Sequence, residues 1–197
     1  MEKVTKLVQL SQVSFLVLIG VCVAIMPHFL FERNEGGMSN YGVYVSTVVF
    51  YTLAFLLSAG LLLRAAKLLP KERNYRRLKV VFEVTAYTLL LVLITTYPYQ
   101  RSNTYANIHT ATNIWTTIFE MSAGLWIALI WQRSVVTRFL LLVQLLAFVL
   151  LVLTFLGTIH LLFIAQILTL LSFGLLLITS TTSPHRNEHS AQKGETN

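Results

Sequence analysis

A chain of 197 residues that is 55% hydrophobic and only 12% charged has no length to spare for a water-soluble domain beside its apolar runs. Its formal net charge of +7 does not make nucleic acid an expected partner, because the basic residues sit beside the apolar runs, where they attract anionic lipid headgroups. The single cysteine, Cys22, excludes an internal disulfide and a thiolate metal cluster within one chain.

Six apolar stretches, at 8–31, 43–63, 80–97, 111–131, 139–158 and 160–180, are long enough to cross a bilayer. About 20 apolar residues span the hydrocarbon core as a helix, because lipid offers backbone amides no partner. The first stretch follows Lys3 and Lys6 as a signal peptide would, but it lacks a small-x-small cleavage site and reads as a retained signal-anchor. The loop after it, 32–42, holds Gly36-Gly37 and Ser39-Asn40-Tyr41-Gly42, all turn formers. Span two opens with a stripe of Tyr44, Thr47, Tyr51 and Ser58. Pro70 stops it, and the run Lys71-Glu72-Arg73-Asn74-Tyr75-Arg76-Arg77 holds the next loop at the headgroups. Glu83, four residues after Lys79, reads as half of an ion pair at that interface.

The loop 98–109 is polar and aromatic. Spans five and six are almost pure Leu, Ile, Val and Phe, interrupted mainly by Gln144 and Gln166, and Gly157-Thr158-Ile159-His160 joins them as a tight hairpin. The hydrophilic tail, 181–197, is expected to be disordered and cytoplasmic. With the N-terminus inside, Lys3, Lys6, Arg64, Lys67, Lys71, Arg73, Arg76, Arg77, Lys79, Arg133, Arg138, Arg186 and Lys193 all face the cytoplasm, and only Arg33 and Arg101 lie outside. The expected fold is therefore all-α: one integral membrane domain over 1–180, a bundle of six transmembrane helices with both termini cytoplasmic, in the cell membrane.

The sharpest constellation is on span four. His109, Asn113, Thr116 and Glu120 follow at intervals of four, three and four residues, which aligns them on one helix face. Gly124 and Ala128 continue the stripe as a small-xxx-small contact, suited to packing within the bundle or to a homodimer. A carboxylate about nine residues into a span costs about 2.5–3.5 kcal/mol on insertion scales, so Glu120 should face the interior. The histidines at 28, 109 and 160 fall near one side of the membrane. No HExxH pair accompanies them, and zinc needs three converging ligands, so no metal and no cofactor are expected. Neither a GxSxG elbow nor a glycine-rich phosphate loop occurs.

Ser39-Asn40-Tyr41-Gly42 after span one, a basic loop before span three and His109 opening span four together resemble a known six-span group. It includes the DRAM proteins (damage-regulated autophagy modulators), the FRAG proteins of glycolipid-anchor remodelling, and prokaryotic relatives. The resemblance implies an association with membrane lipid and carries over Ser39, Gly42 and His109. The leading expectation is a protein, not demonstrably catalytic, that binds or senses a lipid or amphiphile in an outward-facing polar pocket between spans two, three and four. Asn40, Tyr44, Tyr51, His109, Asn113 and Glu120 would line the pocket, with Arg101 at its rim. A second reading is a proton-linked transporter or channel using Glu120. A third is a lipid hydrolase or transferase using His109 and Glu120 as acid and base.

Overall fold

The computed structural model describes residues 1–27, 37–98 and 100–182. His28, Glu32, Arg33, Gly36, Tyr99 and the tail from 183 onward lie outside the described residues. Six helices carry the fold: α1 (Glu2–Ile25), α2 (Val48–Leu68), α3 (Arg73–Thr96), α4 (Asn103–Trp126), α5 (Val135–Phe155) and α6 (Leu162–Thr182). All six are long and apolar enough to cross a membrane. A short 3-10 helix, Gly37–Gly42, precedes α2, and α4 ends in a widened π turn over Ile127–Trp131.

The helices run past the apolar stretches that announce them. α1 starts at Glu2, whose carboxylate meets Lys6 one turn on at 2.6 Å. α4 starts at Asn103, eight residues before its apolar run, because the Ser102 side chain accepts the Tyr105 N–H (3.4 Å) and caps the helix there. α2 is the reverse case. It starts at Val48, so Tyr44 precedes the helix and Thr47 is its N-cap residue, donating to the Tyr41 carbonyl at 2.8 Å. The expected four-residue stripe on span two is therefore helical only from Tyr51.

Chain order is preserved in space. α1 lies along α2, α2 along α3 and α5 along α6, while α6 also closes on α1 and α4 touches α5 and α6 only sparsely. Ala54, Ala59, Ala65 and Ala66 of α2 are buried, and in the α1–α2 seam Phe15 packs edge-on against Phe55 with centroids 5.2 Å apart. Ser11 and Ser58 each donate to the other's backbone carbonyl, at 3.2 and 3.0 Å. Such interhelical bonds are worth about 0.6 kcal/mol each in lipid and hold close-packed backbones in register. The exterior is apolar instead of polar. Leu10, Val13 and Val17 of α1, and Phe139, Leu142 and Leu146 of α5, stand more than half exposed. An aqueous fold would not present such a surface, and a hydrocarbon solvent requires it. The chain is a multi-pass membrane protein.

Three glycine–glutamine contacts recur between elements. A Cβ on Gly174 of α6 would overlap the Gln12 amide of α1, one on Gly124 of α4 would overlap the Gln144 amide of α5, and one on Gly37 would overlap the Gln166 amide of α6. Gly37 also holds φ +52°, a conformation that side chains other than glycine rarely adopt. Gly157, at φ +72°, closes the α5–α6 hairpin. Gly124 and Ala128 thus pack inside their own bundle. Glu83 meets Lys79 at 3.7 Å as a half-exposed pair, which contributes little.

At the end of the bundle rich in arginine and lysine, the ring of Trp131 packs on Tyr75 and Trp126, with centroids 5.6 and 5.5 Å away. Its Nε1–H donates to the Ser180 carbonyl at 3.0 Å, tying the end of the α4 segment to α6.

Candidate functional site

At the end of the bundle opposite the basic loop, a cavity of about 650 Å³ opens between the 3-10 helix and α2 to α6. One wall is polar and comes mainly from α4. Because the Ser102 cap sets the helix start, His109 falls two turns in, and His109, Thr112, Thr116 and Glu120 are all buried on the inward face, with Asn113 half-buried beside them. α5 adds the apolar Leu151 and Phe155, and α6 adds Leu162 and Leu170 together with the polar Gln166 and Thr169. Glu120 lies at the floor, at 3% exposure, and among the described residues no hydrogen bond or ion pair reaches its carboxyl. Its backbone carbonyl accepts from Gln144 Nε2 at 3.0 Å.

The sequence-derived site residues fall as follows. Asn40, Tyr44, Tyr51, His109, Asn113 and Glu120 all line the cavity. Arg101 does not; it stands exposed in the turn before α4, its N–H bonded to the Pro98 carbonyl. Tyr51 shares its hydroxyl with Thr96 of α3 (3.2 Å), and Ser58 is turned away to α1. The second stripe is thus divided between cavity and packing. Among the described residues no group of three His, Cys, Asp or Glu side chains converges as a metal site, and His160 is exposed in the α5–α6 turn.

His109 is the centre of a network that crosses three elements. Its Nε2 lies 2.6 Å from Ser39 Oγ of the 3-10 helix and 2.9 Å from Asn113 Nδ2, while Nδ1 lies 3.0 Å from Thr95 Oγ1 of α3. The 3-10 helix is itself anchored by Gln166, whose Oε1 accepts the Met38 N–H at 2.8 Å. Gly42 is required where the 3-10 helix meets the bundle, since a Cβ there would overlap the Tyr51 ring and the Thr96 methyl.

Neighbouring Tyr41 is fully buried and donates to the Met26 carbonyl at 3.2 Å. Burial, followed by the nearby Cys22, pushes its phenol from the ordinary value of 10 up to about 12. The folded pKa is raised, so the stability this group supplies is complete below pH 10 and lost as pH climbs from 10 to 12. Thermal melts across that interval should fall for the wild type and stay flatter for Tyr41→Phe.

Thr95, Gln166 and the α5–α6 wall were not foreseen as parts of the site. Gln166 was visible as a polar interruption in an apolar run, but Thr95 carried no signal. No family model matches the chain, no curated protein is significantly similar to it, and no solved structure matches it.

Proposed function

We propose that the protein binds a single-chain or double-chain amphiphile in this cavity, with its polar group on the α4 wall and its hydrocarbon on the α5–α6 wall. One observation carries the reading: a cavity of about 650 Å³, within the usual range for small-molecule sites, combines the polar side chains of α4 with Leu and Phe side chains of α5 and α6. His109, Asn113, Asn40 and Glu120 supply donors and acceptors for a headgroup, and the sparse α4–α6 contact leaves room for a chain to enter sideways from the bilayer. The concentration of Lys and Arg at the other end supports a cytoplasmic side for that end, on anionic headgroups, and with it an outward-facing cavity.

Native mass spectrometry after mild detergent extraction tests this. The wild type should retain a lipid adduct, and Thr116→Phe, which fills the cavity from its α4 wall, should lower occupancy about tenfold, equivalent to about 1.4 kcal/mol of binding. A bare mass for the wild type would remove the proposal. If pH-dependent solute flux in liposomes were then found, and lost in Glu120→Gln, the unpartnered carboxyl at the floor would instead belong to a proton-linked carrier.

A further inference from the structure

The hydrogen-bond directions around His109 point to a second activity. Thr95 Oγ1 lies 3.0 Å from the Leu91 carbonyl and 3.1 Å from that of Val92, so its proton is directed at its own helix backbone. Its oxygen is then left to accept, and the group it faces is His109 Nδ1, which must carry the imidazole proton. Asn113 gives the same answer from the other side, because its amide N–H groups face Nε2 and need a lone pair there. Both neighbours thus hold the ring as the Nδ1–H tautomer, whose single Nε2 lone pair is faced by Asn113 Nδ2 at 2.9 Å and, closer, by Ser39 Oγ at 2.6 Å. A serine hydroxyl, a basic ring nitrogen in contact with it and a third group fixing the tautomer are the parts of an activated nucleophile.

We infer that Ser39 and His109 form a nucleophile–base pair that transfers the acyl group of an ester-linked amphiphile; this rests on the cavity being an amphiphile site. Ser39 lines the cavity at its polar end, where an ester carbonyl would sit between a headgroup and a chain lying along Leu162 and Phe155. Ser39 Oγ bonds to the carbonyl carbon while its proton passes to His109 Nε2. The ester C–O bond then breaks, and the departing alcohol takes that proton. Acyl-Ser39 remains; water or a second alcohol attacks its carbonyl carbon and gives its proton to Nε2, and as the C–Oγ bond breaks Nε2 returns that proton to Ser39 Oγ, releasing a carboxylic acid or a new ester. Asn113 Nδ2 is a side-chain donor close to the reacting atoms, and turning it from Nε2 to the carbonyl oxygen would place an N–H where negative charge develops. Thr95 is a positioning residue. It orients the ring without the charge of a carboxylate.

A long-chain alkyl fluorophosphonate tests the pair on the purified full chain. The wild type should gain one covalent adduct that maps to Ser39, Ser39→Ala should gain none, and His109→Gln should react about a hundredfold more slowly, the low end of what a general base contributes. Thr95→Val should slow the reaction less and shift its pH profile, an effect that loss of packing alone would not produce. If Ser39→Ala fails to fold, Ser39→Cys serves instead: its thiol, lining the cavity, should be alkylated by an alkyl iodoacetamide well before the buried Cys22, which does not line it. An inert wild type, or labelling that persists in Ser39→Ala, overturns the inference. Lipid occupancy measured on the same wild-type sample separates the two readings. Lipid retained without an adduct sinks the nucleophile and leaves the binding site standing; an adduct at Ser39 without retained lipid shows a reactive serine but overturns its assignment to a bound amphiphile.

Discussion

Gly174→Leu should destabilise the detergent-extracted protein by about 3 kcal/mol, the upper part of the range for overpacking a core. The new side chain would occupy the space of the Gln12 amide and force α6 away from α1. Gly20→Leu and Gly60→Leu are the controls, since nothing stands within 4 Å of a Cβ at either position and both face outward. They should be neutral, or stabilising by up to about 1 kcal/mol, because glycine is a poor helix former. Melting temperatures of the three variants decide the matter. Equal losses at all three would mean that the α1–α6 contact is not as tight as the Gln12–Gly174 pair makes it.

The second large effect is expected at His109. His109→Ala removes the partner shared by Ser39, Thr95 and Asn113, and with it a side-chain bridge that joins the 3-10 helix, α3 and α4. A buried polar group left without its partner costs about 1–3 kcal/mol, and truncating the ring leaves a void beside it. A loss of roughly 3 kcal/mol is expected, together with loss of retained lipid. His160→Ala, exposed in the α5–α6 turn, should stay within about 0.5 kcal/mol of the wild type. If His109→Ala melts like the wild type, the network is not holding the cavity's rim together.

The number of spans was legible because hydrocarbon thickness imposes a minimum length of apolar chain, and each of the six runs meets it. Helix ends were not, because a hydropathy pattern marks where lipid begins and a cap marks where the helix begins. Ser102 starts α4 more than a turn before its apolar run, and Thr47 starts α2 more than a turn after its own. The inward stripe of α4 was readable from spacing alone, since it lies within one helix.

Contacts between distant segments were less accessible. Ser39 and His109 are 70 positions apart, and the span count set them on one side of the membrane without showing that they touch. The α5–α6 wall was missed for a simpler reason: a helix lined with Leu and Phe reads the same whether it faces lipid or a ligand's chain. Tyr44 and Tyr51 reach the cavity while Ser58 does not, because the residues before Val48 are not helical and Ser58 is held by Ser11.

The three glutamine–glycine contacts also limit how the protein can move. Each places a side-chain amide where the facing helix or turn has no side chain, so an axial slide of α6 against α1, or of α5 against α4, by even two residues (about 3 Å) would drive a bulkier neighbour into that amide. Piston-like motion is therefore closed to these pairs, while tilting about the contact points is not. α4, bound sparsely to α6, is the helix with freedom to lean. Widening of the cavity should proceed by rocking of α4 with the Gln144–Gly124 contact as fulcrum, so that the His109 end swings most and the tryptophan-tied basic end least.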